Sequence, residues 1–137
     1  PIRGLQLFRS SKTACSGCHK LGYVGGEIGP DLTRIGSSRS RPALLEAILF
    51  PNARLEQSYQ STKILTHDGQ VYNGLITQHL NPTQFVMQLS ADKSIVLSTD
   101  DVERQEVSEV SIMPSGLAEL LTLDELSDLI AILESAK

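Results

Sequence analysis

Cys15-Ser16-Gly17-Cys18-His19 is the stretch on which the fold is read. It spells C-x-x-C-H, the attachment signature of a c-type haem. Two thiols three positions apart on one helical turn can each reach a vinyl group of one porphyrin, and the adjacent imidazole stands where it can ligate the iron. Two other uses of C-x-x-C compete with this one. A structural zinc site normally takes four ligands. With Cys15 and Cys18 as the only thiols, His19, His67 and His79 would have to complete it, crowding Cys15, Cys18 and His19 into one short loop. A redox dithiol belongs after a strand in a βαβ unit, whereas the upstream Gly4-Leu5-Gln6-Leu7-Phe8-Arg9-Ser10-Ser11-Lys12 reads as a helix.

Working outward, residues Ile2 to Thr13 carry Ile2, Leu5 and Phe8 at helical spacing. Gly4 costs about 1 kcal/mol inside a helix relative to Ala, so it points to a close approach by another backbone or to a frayed first turn. A second helix is expected from about Arg41 to Phe50, with Ser40 as cap, Pro42 in the first turn and Pro51 as the stop. A closing helix follows Thr122, where T-x-x-E with Glu125 forms a capping box and Leu126, Leu129, Ile130 and Leu133 make one apolar stripe.

Between the last two helices the period falls from about 3.6 to 2. Strands are expected at Thr62 to Thr66, Val71 to Thr77, Gln84 to Leu89, Ser94 to Leu97 and Val102 to Val107. Turns fall at His67 to Gln70, Asn81 to Thr83 and Ala91 to Lys93.

An iron held by one histidine needs a sixth ligand or an open face. Met87 alternates within a strand and reads as a core side chain. Met113 precedes Pro114, which forces an extended backbone in a rigid loop able to present a thioether. His67 beside a turn and His79 at a strand end read as solvated surface residues. Downstream of the motif, Pro30 lacks an N–H, so its segment offers carbonyl oxygens, one of which could accept the Nδ1 proton of His19. Arg34, Arg39 and Arg41 are candidates to neutralise the haem propionates.

The 137 residues suit one domain, and no apolar stretch is long enough to span a bilayer. A net charge of -4 argues against nucleic acid and gives a weak preference for basic partner surfaces. With three Phe, three Tyr and no Trp, the core rests on aliphatic residues, and a haem would add a large apolar plate to it. Covalent haem attachment takes place outside the cytoplasmic membrane. A chain starting at Pro1 without a visible signal peptide is therefore expected to be a processed form or an excised domain, periplasmic or otherwise exported.

With these residues in hand the chain resembles class I cytochrome c. The resemblance rests on Gly4 and Phe8, Cys15-x-x-Cys18-His19, Gly29-Pro30-x-Leu32, Met113-Pro114 and the closing amphipathic helix. More narrowly it is similar to the haem-binding domain of the planctomycete and verrucomicrobial type. That domain's G-P-D-L-T-x-I-G is matched by Gly29 to Gly36, and its L-L-E-x-I-L-x-P by Leu44 to Pro51. Tyr59, Thr66 to Gly69, and Met113-Pro114-x-Gly116-Leu117 match further points of its pattern. The resemblance implies His19 and Met113 as axial ligands, Cys15 and Cys18 as thioether attachments, and first and last helices crossing at Gly4. In that family the domain often ends a much larger membrane-associated or secreted dehydrogenase, so the resemblance also implies a domain or partner of such an enzyme, and it supplies no role for the β-rich stretch.

The expectation is thus a mainly α cytochrome c fold with an inserted small antiparallel β unit, α+β overall. One domain would span 1–137, its core at 1–58 and 108–137 and its insertion at 59–107. It would carry one covalent haem c with its iron, bound through Cys15, Cys18, His19, Pro30, Arg34 and Met113. It would pass single electrons from a donor dehydrogenase to a respiratory acceptor without transforming a substrate. The alternative is a haem enzyme or a gas or peroxide sensor with a labile sixth ligand. The insertion would either stabilise the Met113 loop or dock a partner or second copy of the chain.

Overall fold

The computed structural model describes residues 2–54 and 59–137. The chain divides into two compact units, Pro1–Arg54 with Pro114–Lys137, and Leu55–Met113. The seam expected at residue 58 lies outside the described residues.

The first unit is helical. Helix α1 spans Ile2–Arg9, α2 is the single turn Cys15–Cys18, and α3 is another single turn, Ile35–Ser38. Helix α4 spans Arg41–Leu49 and α5 spans Leu123–Ser135. A two-residue hairpin, β1 (Lys20–Leu21) and β2 (Val24–Gly25), sits between α2 and α3. Ser40 caps α4 by accepting from the Ala43 N–H, with Pro42 in the first turn where its missing donor costs nothing. Thr122 and Glu125 close both halves of the capping box on α5.

Phe8, Leu44, Ile48, Leu117, Leu129, Ile130 and Leu133 are buried in this unit. Helices α1 and α5 cross at Gly4, where any Cβ would run into the backbone carbonyl of Asp128. Gly36 of α3 meets the Glu134 carbonyl in the same way. Surface ion pairs Arg3–Asp128, Lys12–Glu125 and Arg41–Glu134 reinforce these contacts at 2.7–3.0 Å. Exposed pairs of this kind contribute well under about 1 kcal/mol each, so apolar packing dominates.

The second unit is a five-stranded antiparallel sheet of β3 (Thr62–Thr66), β4 (Val71–Asn81), β5 (Gln84–Gln88), β6 (Ser94–Ser98) and β7 (Val102–Val107). Its order is β6-β5-β4-β3-β7, so four strands meander and the fifth returns beside the first. Ile64, Phe85 and Met87 form its core, with Tyr72, Ile76, Leu89, Ile95, Leu97 and Val102 packed against them. Met87 is fully buried there. The register shifts between Leu65 and Thr66 on β3 and, on β4, between Ile76 and Gln78 and between His79 and Asn81, irregularities that interrupt the ladder locally.

A mainly α cytochrome c fold with a small β insertion is therefore incorrect. Only 35% of the described residues are helical, and the five-stranded sheet makes the chain α+β. The first helix stops four residues short of Thr13, because the Ser10 and Thr13 hydroxyls both donate to the Leu7 carbonyl and end it there. The period-2 stretch builds a hydrophobic cluster of its own. No described helix is long and apolar enough to cross a membrane.

Candidate functional site

The chain enters the C-x-x-C-H turn through Ala14, the one described non-glycine residue with positive φ, at 51°. A left-handed alanine costs roughly 1–2 kcal/mol, and the surroundings hold it in place. Its N–H donates to Ser10 and its carbonyl accepts from Gly17, tying the end of α1 directly to α2. Cys15 and Cys18 are both half-buried and are not joined in a disulfide.

A loop of glycines wraps the turn and satisfies its carbonyls. The Gly26 N–H donates to Ser16 at 2.9 Å, and the Gly29 N–H to Cys18 at 2.8 Å. The Leu32 N–H then donates to Lys20 at 2.8 Å, and the Gly22 N–H to the Thr33 hydroxyl at 3.0 Å. Residues 29–33 thus run parallel alongside residues 18–22. Side chains would obstruct this approach: a Cβ at Gly25 or Gly26 would strike the backbone of His19 or Gly17.

His19 Nδ1 lies 2.8 Å from the Pro30 carbonyl oxygen. A carbonyl can only accept, so Nδ1 carries the proton and Nε2 keeps its lone pair. Burial pushes the imidazole below its ordinary pKa, and the bond to Pro30 opposes that only in part. His19 is therefore a neutral, oriented imidazole. Gly29 lies under the ring, where a Cβ would fall 2.7 Å from Cε1 and 2.9 Å from Nδ1.

Burial raises both thiols above their ordinary pKa, and at Cys18 the neighbouring Cys15 charge adds to the effect. They stay protonated at neutral pH, unlike the acidic thiols of disulfide oxidoreductases. No group of three or more His, Cys, Asp or Glu able to hold a metal gathers among the described residues. His67 is exposed in the β3–β4 turn and His79 is exposed on β4, its ring 6.2 Å from Phe85; both belong to the sheet unit.

The structure brings together Cys15, Cys18, His19 and Pro30. Arg34 is exposed just before α3, with no ion pair among the described residues. Arg41 is engaged with Glu134. Met113 is half-buried in the stretch after β7, its N–H donating to the Ser111 hydroxyl at 3.1 Å. It closes the sheet unit, and Pro114 resumes the helical one. Sequence reasoning missed Gly25, Gly26 and Ala14. The density of glycine between residues 22 and 29 was the available signal, since backbone packed on backbone leaves no room for Cβ.

No protein-family model matches the chain. No curated protein is significantly similar to it.

Proposed function

We propose that the chain binds one c-type haem covalently and carries single electrons. The observation that best supports this is the Nδ1–H bond from His19 to the Pro30 carbonyl, which fixes the tautomer and leaves Nε2 as a ligand atom. The donor set also fits: two unpaired thiols flank one helical turn, with the imidazole next in sequence. When bound, haem supplies a ferrous/ferric couple with one-electron chemistry.

The chain's own residues set the conditions for that chemistry. Cys15 and Cys18 supply sulfur for two thioether links. Burial keeps His19 uncharged, so no proton competes for Nε2 near neutral pH. Gly29 gives the ring its room. Arg34 offers an exposed guanidinium for a propionate. On its sequence context Met113 is the residue that would complete the iron's ligand set, and a thioether ligand would raise the reduction potential relative to a second histidine. In this reading the chain works in an exported compartment between a donor dehydrogenase and a respiratory acceptor, and it transforms no substrate itself.

The test is export of the chain alongside covalent haem-attachment machinery, followed by haem staining of denaturing gels and spectra of both redox states. Haem surviving denaturation, and lost in the Cys15→Ala/Cys18→Ala variant, is expected. Folded but colourless protein would overturn the proposal.

A further inference from the structure

The two edges of the sheet differ in a way that singles one out. Strand β7 presents Glu103, Arg104, Gln105 and Glu106, all exposed, and charges of this kind block edge-to-edge pairing. Strand β6 is the opposite edge and reads Ser94-Ile95-Val96-Leu97-Ser98, with no charge and no proline.

The direction of its free hydrogen-bonding groups follows from the ends of the β5–β6 ladder. The Leu89 N–H donates to Lys93 and the Thr99 N–H to Thr83, both at 2.8 Å. Hydrogen-bonded pairs alternate along an antiparallel ladder. Counting inward in the observed register, Ile95 and Leu97 turn their backbone groups to β5, while Ser94, Val96 and Ser98 turn theirs outward. The Ile95 and Leu97 side chains pack on the core cluster, and Val96 is 55% exposed.

This strand has nearly the same chemistry read in either direction. An antiparallel copy centred on Val96 places Val96 opposite Val96, Ser94 opposite Ser98 and Ile95 opposite Leu97. The outward-turned residues then face one another as hydrogen-bonded pairs, and no charged residue lies within the paired span Ser94–Ser98. We infer that β6 pairs with β6 of a second copy across a two-fold axis at Val96, joining the two sheets into one. A self-complementary patch is what such an axis requires, and a strand of unrelated sequence would have no need of the palindrome. The inference does not depend on the haem reading.

Sedimentation velocity of the full chain over a range of concentrations tests it. Wild type is expected to reach twice the chain mass. Val96→Lys sets two like charges on the axis and is expected to remain monomeric at the same concentrations, with its circular dichroism unchanged. Val96→Cys provides a second readout independent of folding defects in the lysine variant. Residues in a hydrogen-bonded antiparallel pair have Cα atoms about 5.5 Å apart, within disulfide range. Oxidation should therefore cross-link this variant well beyond wild type, which controls for Cys15 and Cys18, whereas Val107→Cys on the other edge should match wild type. A wild type that stays monomeric, a dimer that survives Val96→Lys, or a Val96→Cys variant that fails to cross-link overturns the pairing. A monomer whose β6 takes up a strand from a different protein overturns it equally.

Discussion

Gly29 and His19 are packed so closely that the imidazole occupies the place where a side chain at residue 29 would begin. In Gly29→Ala the new methyl group would lie within 3 Å of Cε1 and Nδ1, so the ring must shift and the bond to Pro30 must lengthen. The expected cost is about 1–3 kcal/mol, typical of overpacking. Urea unfolding gives that cost, and nitrogen-proton NMR correlations of the ring should show Nδ1–H as the dominant tautomer in wild type and a mixture in the variant.

The depressed pKa of His19 makes the stability of the haem-free chain depend on pH. Burial favours the neutral ring, so the folded chain holds this proton more weakly than the unfolded chain. Between the lowered folded value and the ordinary value near 6.5, the unfolded state carries the extra proton. Stability contributed by the neutral ring is therefore complete above about pH 6.5 and declines as pH falls through that window. Unfolding midpoints measured across it should show the decline in wild type and a flatter profile in His19→Gln. Equal slopes in the two proteins would show that the ring is not responsible.

Raised thiol pKa values forecast slow alkylation of the haem-free chain at neutral pH, accelerating through the alkaline range. Cys15→Ala removes a like charge from beside Cys18 and should bring the midpoint of the Cys18 rate profile down. A fast, pH-independent reaction near neutrality would instead mark an activated thiolate.

Two glycine substitutions should separate steric from conformational cost. Gly4→Ala sets a methyl group against the Asp128 carbonyl, which belongs to helix backbone and cannot swing away, so α1 and α5 must part. A loss of about 1–3 kcal/mol is expected. Gly69→Ala meets nothing within 4 Å but keeps a φ of +86°, so only the backbone penalty of roughly 1–2 kcal/mol applies. Gly69→Asn, which tolerates that conformation better, should recover part of it, and no substitution with a Cβ should recover Gly4.

The strands were legible because alternation is local: Ile64, Phe85 and Met87 face the sheet's core as their spacing indicates. The same holds for α4 and α5, whose caps at Ser40 and Thr122 lie within three residues of their partners. The C-x-x-C-H motif carries no information on how much sheet the rest of the chain builds: α2 and α3 are single turns, and the sheet has its own core. The pairing of β7 with β3 spans about forty residues of chain and leaves no local trace. Pro30 was legible near His19 because a residue without N–H has only its carbonyl to offer. Ala14 was not, since nothing in an alanine announces a left-handed backbone.

The parallel seam between residues 18–22 and 29–33 makes the motif sensitive to spacing as well as to the identity of its glycines. One residue added or lost between Gly26 and Gly29 would slide every rung, so that the atom facing His19 Nδ1 would belong to a neighbouring residue. Variation in length should accordingly be confined to the hairpin tip at Tyr23, where the chain is fully exposed and no rung of the seam is anchored.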